Sequence, residues 1–500
     1  MKSFRELREE RLAAERGTIY TQADLAVALV YPSPYHVGMS SLGFQTIYRE
    51  LHALPAVTAE RAFLPDDVGA ARAQRETLCT YESNRPVADF PIVAFSLSYE
   101  LELAGVVHCL DLAGIPALAA ERELPGRRWP LVVVGGPLTF SNPVPAGPMA
   151  DVIVMGEAEE AVATLVQVFR DSPDKRALLE TLAHLPGFFV PIIHGERPPA
   201  VLTADNACLP AFSQIITPNT ELSDMFLVEA TRGCSRTCTY CVMRRSTGGG
   251  MRKVAPEQIL AKIPEHARHV GLVGAAVTDH PCLPGILRAL VDSGRTLGVS
   301  SLRADRLSDE LVGLLAAGGY RTLTTAADGA SQCMRDAIDR GTSEENLRNA
   351  ARLCRVHGMA ALKLYVMLGL PGETMADIED LIRLALELAD IAPRLIVTIA
   401  SFVAKRNTPL DGSPFEDIAI LEAKLSRLRA ALRGRVKLAG ESPKWAWVEY
   451  RLAQGGFTEG LAALSAARAG EGYATWKAAL TGRHLVFRNG QSRRASGRLP

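Results

Sequence analysis

Gly233-Cys234-Ser235-Arg236-Thr237-Cys238-Thr239-Tyr240-Cys241 sets three thiols on one short loop at the spacing Cys-x3-Cys-x2-Cys. Thiolates so spaced can bind three irons of a four-iron cube and leave the fourth iron open to a small chelating molecule. With nine cysteines in 500 residues, chance produces that spacing in roughly three of a thousand such chains. A structural zinc site normally takes four ligands, and the fourth is missing locally; His280 and Cys282 would complete one only by folding back. A ferredoxin-type cluster needs a fourth cysteine nearby, and the next forty residues contain none. The other six cysteines read as reduced thiols of the core.

Working outward, the loop follows an apolar run, Phe226–Ala230. Five more strand-like runs come after it: Val270–Ala275, Gly298–Leu302, Thr322–Thr325, Leu362–Met367 and Leu395–Ile399. Amphipathic helices separate them, with capping signals at Ser308 and at Thr374 followed by Asp377. Such alternation builds parallel sheets from βαβ units. Six units suggest an incomplete barrel with its chemistry at the carboxyl ends of the strands, where the cysteine loop falls. An earlier series, Leu25–Val30, Ile92–Ser96, Leu131–Val134 and Val152–Met155, is apolar enough to be buried on both faces and predicts a doubly wound sheet. Ligands of such sheets lie beyond the strand ends near the switch point. The loops there carry Ser96, Ser98, Gly135, Gly136 and Gly156, whose small side chains leave room for a bulky ligand.

With Tyr240 before its last cysteine, the loop resembles that of the radical S-adenosylmethionine superfamily. Further segments match superfamily motifs: Ser300-Ser301-Leu302-Arg303, Ala327-Asp328-Gly329-Ala330-Ser331, Leu368-Gly369-Leu370-Pro371-Gly372-Glu373-Thr374 and Ser401-Phe402-Val403-Ala404-Lys405. The resemblance implies a [4Fe-4S] cluster on Cys234, Cys238 and Cys241. It implies S-adenosyl-L-methionine on the open iron, cleaved reductively to a 5′-deoxyadenosyl radical, the cofactors supplying the hard chemistry. Tyr240 belongs to the cofactor site it implies. Arg303 or Lys363 would hold the methionine carboxylate, an ordinary ion pair at the strand ends being the alternative for both. Asp328 would hold the ribose, where the family more often has glutamate, and Gly369, Leu370 and Val403 would wall the adenine. The family's Gly-Gly-Glu after the second strand is absent; Gly274-Ala275-Ala276-Val277-Thr278-Asp279 stands there. The amino-group contact then falls to backbone or Thr278. An external electron donor such as a flavodoxin or ferredoxin is implied as partner.

Tyr31-Pro32-Ser33-Pro34-Tyr35-His36-Val37-Gly38-Met39, Ser96-Leu97-Ser98-Tyr99-Glu100, Val134-Gly135-Gly136-Pro137 and Met155-Gly156-Glu157 together resemble fusions of a cobalamin-binding domain with a radical barrel. The fold class expected is therefore α/β: a doubly wound Rossmann-like domain of cobalamin-binding type over 1–183, a linker with short strands over 184–222, and a partial (β/α)6 barrel over 223–413. A small α+β cap segment over 414–485 and a basic tail over 486–500 complete it. Cobalamin, if bound, would be enclosed by Ser96, Ser98, Gly135, Gly136 and Gly156 without a protein ligand. The Asp-x-His-x-x-Gly pattern of histidine-ligated cobalamin lacks both Asp and Gly here, so His36 reads as a polar loop residue.

Basic and acidic residues balance at 55 each, so no global field argues for nucleic acid. Arg483, Arg488, Arg493, Arg494 and Arg498 read as a solvated end, contact with RNA or phosphate being the alternative. Met1–Arg16 reads as a surface helix without a signal-peptide core, and no apolar run is as long as a membrane span. An oxygen-sensitive cluster and unpaired thiols fit a reducing cytoplasm.

The function expected is hydrogen abstraction from an unactivated carbon, with methyl transfer if cobalamin is bound. Methylthio transfer to RNA or protein would need three N-terminal cysteines for a second cluster, and only Cys79 and Cys109 precede Cys208. A non-catalytic cobalamin or cluster-binding sensor is the alternative outside enzymes. No catalytic acid or base and no substrate is assigned, and Cys333 and Tyr365 read as core packing.

Overall fold

The computed structural model describes residues 2–123, 128–243, 249–300, 302–470 and 472–482. Ser301 and the five arginines of the C-terminal stretch lie outside them. The chain divides into two units, Met1–Asp205 with Ser213–Ser223 and Arg451–Pro500, and Asn206–Phe212 with Asp224–Tyr450.

In the first unit, runs of Val, Leu and Ile buried on both faces form β1 (Leu25–Tyr31), β3 (Ile92–Ser96), β4 (Leu131–Gly135) and β5 (Val152–Val154). Two further strands join them, β2 (Val57–Phe63) and β6 (Phe188–Phe189). The sheet order is β2-β1-β3-β4-β5-β6, parallel except where β6 runs antiparallel to β5. The first five strands follow the flavodoxin-like order 2-1-3-4-5, whose switch point lies between β1 and β3. β2 escapes a reading by hydropathy because Glu60 and Arg61 interrupt it. Yet Arg61 is fully buried, its Nη2 2.7 Å from Glu15 Oε2 and its Nε 2.6 Å from Glu82 Oε1. A buried charge is tolerated when it is paired and hydrogen-bonded in this way. Around it packs an aromatic core of Tyr31, Tyr35, Phe44, Phe63 and Tyr81.

The segments expected as linker and cap are shared between the units. Ile215 N–H donates to Gln45 Oε1 at 2.9 Å within the first unit, whereas Phe212 bridges antiparallel to Val228 in the second. Residues 451–482 belong to the first unit. There the buried Asn142 donates through Nδ2 to the carbonyls of Leu452, Ala453 and Gly455 at 3.3, 2.9 and 2.8 Å. Residues 414–450 stay with the second unit.

Among its described residues the second unit carries seven parallel strands in two sheets. One has the order β11-β10-β7, from β7 (Met225–Glu229), β10 (His269–Val273) and β11 (Thr296–Val299). The other is β12-β13-β14-β15, from β12 (Thr322–Asp328), β13 (Ala361–Leu368), β14 (Leu395–Ser401) and β15 (Lys437–Gly440). A parallel bridge between Leu302 and Thr325 links the two. β15 adds a strand to the six expected. Strict alternation on β12 and β13 buries Leu323, Thr325 and Ala327, then Leu362, Leu364 and Val366. Residues of the opposite parity, Thr324, Ala326 and Tyr365, share the other face, and Asp328 follows a register shift after Ala326. Caps form as the sequence indicates: Ser308 accepts from Leu311 N–H, and Thr374 donates to Asp377 Oδ2. No described helix is long and apolar enough to cross a membrane.

Candidate functional site

Cys234 ends β8 (Thr231–Cys234), which pairs antiparallel with β9 (Gly250–Lys253), a hairpin standing just beyond β7. The loop is then pinned by backbone: Thr239 N–H donates to Ile338 O at 3.1 Å, and Leu410 N–H donates to Thr239 O at 3.2 Å. Cys241 N–H donates to Cys238 O at 3.2 Å, closing the turn between the last two thiols.

All three thiols line one cavity of about 290 Å³ at the strand ends, close to the lower end of the range for small-molecule sites. Tyr240, Arg303 and Asp328 line it too, so six of the residues singled out from sequence meet there. Tyr240 Oη donates to Asp328 Oδ2 at 2.6 Å. Burial, then the Asp328 charge, holds the phenol well above its usual range and therefore protonated. Burial also raises the Cys241 thiol. Three guanidinium groups, Arg236, Arg303 and Arg340, face the same space. Arg303 is 4% exposed and bonds Asp305 through Nε and Nη2, but its Nη1 is buried with no hydrogen-bond partner among the described residues. Such an orphaned donor in a cavity wall is a place for an anionic ligand group.

Two family models match this chain. Residues 43–191 match the N-terminal domain of radical SAM proteins, and residues 228–385 match the radical SAM superfamily. The chain belongs to the radical S-adenosylmethionine superfamily. An uncharacterised protein of Methanocaldococcus jannaschii is 25% identical over 402 residues, 78% of this chain and 80% of that one. The solved structure of the cobalamin-dependent S-adenosylmethionine radical enzyme OxsB with aqua-cobalamin bound is similar at TM-score 0.51 and 16% identity, covering 74% of this chain. It covers 53% of the OxsB chain, so this radical SAM protein spans about half of that length, and the likeness speaks for fold alone.

Family membership implies a [4Fe-4S] cluster and S-adenosylmethionine, and the residues present fit both. Among the described residues no three His, Cys, Asp or Glu side chains converge on a single metal ion. Thiolates that each take a different corner of a cube need not converge, and the cations around them suit their charge.

Other expected contacts are displaced from the cavity. Thr278 is buried, and its Oγ1 accepts from Arg303 N–H at 3.3 Å, so it supports Arg303 instead of lining the space. Lys363 Nζ lies 4.7 Å over the Tyr365 ring. Gly369 N–H is taken by Glu373 Oε1 at 2.9 Å, and Leu370 is buried in a cluster with Met334, Ile338, Phe402 and Ala404. Val403, between those last two, is absent from the cavity wall as well. Tyr365 reverses its expectation: it is 39% exposed and lines the cavity, not the core. Cys333 and Cys282 are exposed, and of the six other cysteines only Cys109 and Cys354 are buried.

The sequence reading missed Arg340, which reaches the cavity from a loop beyond β12, and the acid that closes the turn Val277–Asp279 after β10. Asp279 Oδ2 accepts from Ser235 Oγ at 3.1 Å, and Oδ1 lies 3.2 Å from Arg306 Nε. It ties the cysteine loop to the Arg303 segment. An acid at the end of the string Gly274–Asp279 was the signal available.

In the first unit, the residues chosen for cobalamin are engaged by the chain itself. Ser98 Oγ is 2.8 Å from Tyr31 Oη, and Ser98 N–H donates to Glu102 Oε2 at 2.6 Å. Leu97 backbone crosses so near Gly136 that a Cβ there would lie 2.6 Å from Leu97 O. At Gly156, φ is +90° and a Cβ would lie 2.4 Å from the carbonyl oxygen of Leu202, the residue it bridges. Gly135 has more room, and Ser96 ends β3 half-buried. His36 is exposed, its Nδ1 3.9 Å from Asp66. Three of the five positions thus answer to internal packing, and the local fit to a cobalamin tail is poor.

Proposed function

We propose that this radical SAM enzyme forms a 5′-deoxyadenosyl radical and uses it to abstract hydrogen from an unactivated carbon of its substrate. The observation that carries this reading is the meeting of Cys234, Cys238, Cys241, Arg303 and Asp328 on one cavity wall. The three thiolates would hold the cluster, which when bound supplies the electron for sulfonium cleavage. Arg303 would take the methionine carboxylate through its orphaned Nη1. Asp328, one oxygen already on Tyr240, would offer the other to the ribose. Met243, Leu302, Ala275 and Ala276 would keep water from the radical. A low-potential donor such as a flavodoxin or ferredoxin would supply electrons from outside.

Anaerobic reconstitution followed by dithionite and S-adenosylmethionine tests the reading, with 5′-deoxyadenosine as product. A fully clustered protein that yields no nucleoside would end it.

Methyl transfer from cobalamin is the second reading. The 2-1-3-4-5 strand order favours it, and the occupied crevice residues weigh against it. No step is therefore assigned to cobalamin. Equilibrium dialysis against hydroxocobalamin, read by absorbance, separates the two readings. Methylthio transfer gains nothing, since Cys109 is fully buried inside a helix and cannot serve a second cluster.

A further inference from the structure

Arg340 returns from its loop to the end of β12. Its Nη2 donates to Ala326 O at 3.1 Å, and its Nε lies 2.7 Å from Asp328 Oδ2. Both side chains are 14% exposed and line the cavity with the three thiols.

The two charges sit against different parts of the cysteine loop. The residue before Arg340, Asp339, accepts Cys238 Sγ–H on its carbonyl at 3.6 Å, and the Arg340 charge acts on the same sulfur. Asp328 instead holds Tyr240, the neighbour of Cys241, at 2.6 Å. A cube of iron and sulfide becomes more negative when it gains an electron. Its potential therefore answers to nearby charge, to hydrogen bonds on the ligating sulfurs and to solvent exposure. A cation beside Cys238 favours the reduced state, and an anion beside Cys241 opposes it. Paired, each mutes the other; removing one unmasks its partner.

We propose that the Asp328–Arg340 pair sets the reduction potential of the cluster held by Cys234, Cys238 and Cys241. The inference rests on the cluster reading above and extends it to two residues that ligate no iron. One electron passes from an external low-potential donor to the cluster, and no bond is made or broken.

The test is an anaerobic redox titration with dithionite, without S-adenosylmethionine, following the paramagnetic signal of the reduced cluster. Arg340→Gln should shift the midpoint to more negative potential and Asp328→Asn to more positive potential. Arg340→Lys, which keeps the charge, should stay near the wild type, and the double variant should fall between the singles. A merely structural role would not give shifts of opposite sign. Two shifts in one direction, or none while iron stays at about four per chain, would overturn the inference. If Arg340→Gln fails to hold iron, Asp328→Asn against Arg340→Lys still decides. A wild type that binds no iron would sink the cluster reading itself, and iron content reports that before any potential is measured.

Discussion

Lys424 Nζ lies 2.8 Å from Glu373 Oε1, with 2% and 8% of the two residues exposed. The same ammonium bonds both oxygens of Glu416 at 2.7 and 2.8 Å, and Glu373 Oε1 also accepts Gly369 N–H. One cation thus clamps the turn after β13 to the helix Ile418–Leu432. Removing one member of a buried pair strands the other's charge and costs about 3–5 kcal/mol. Lys424→Met should lower stability by that order in urea unfolding of the second unit. Lys424→Met with Glu373→Gln should recover a large part of it, so a double variant no better than the single would refute the clamp.

Each of Cys234→Ala, Cys238→Ala and Cys241→Ala should drop bound iron from about four per chain to well under one. The exposed Cys282 and Cys333 are the controls, and alanine there should leave iron unchanged. Loss of iron in either control would undo the assignment of ligands.

His108 is buried in the helix Glu102–Ala113, with Arg72 Nη2 at 2.6 Å from its Nδ1. Burial first, and Arg72 second, push it down to about 4 from 6.5. A base whose folded value is depressed binds its proton more weakly in the native state than in the unfolded chain. Its contribution is therefore complete above about pH 6.5 and is lost as pH falls toward 4. His108→Gln should flatten the fall in melting temperature across that window. Identical pH profiles for the variant and wild type would contradict this.

A methyl group on Gly274 would lie 2.3 Å from Thr231 Oγ1 and 2.6 Å from Thr231 O, pressing on the strand that carries Cys234. Overpacking of that kind costs about 1–3 kcal/mol. Gly274→Ala should destabilise the second unit by this order and speed loss of iron to a chelator. Unchanged chelation kinetics would mean that the hairpin is not braced from this side.

Part of this arrangement is legible in the chain as a string of letters. Cys234, Cys238 and Cys241 announce themselves by spacing, and Arg303 and Asp328 by their positions after strand-like runs. The strands fully buried on both faces are equally plain, as Ile92–Ser96 illustrates. What escapes are residues whose meaning depends on distant partners. Nothing near Arg61 in the chain signals its burial, because Glu15 and Glu82, which neutralise it, are distant in sequence, so β2 is missed. Arg340 sits past a short helix, with no periodicity to mark it. Gly369, Leu370 and Val403 mislead the other way, because the buried Glu373 and an apolar cluster claim them first. The divided cap is invisible too, since Asn142 captures residues 452–455 from more than three hundred positions away.

Asp328 holds its backbone at φ +62°, a left-handed geometry that favours glycine and strains other side chains by about 1 kcal/mol. Asp328→Gly would relax the main chain while deleting the carboxylate on which Tyr240 and Arg340 converge. The guanidinium it would strand is mostly buried, and stranding such a charge costs about 3–5 kcal/mol against the ~1 kcal/mol of strain relieved, so directed evolution for heat resistance alone should keep an acid here. A library ranked by melting point would thus guard this carboxylate even with no turnover in the assay.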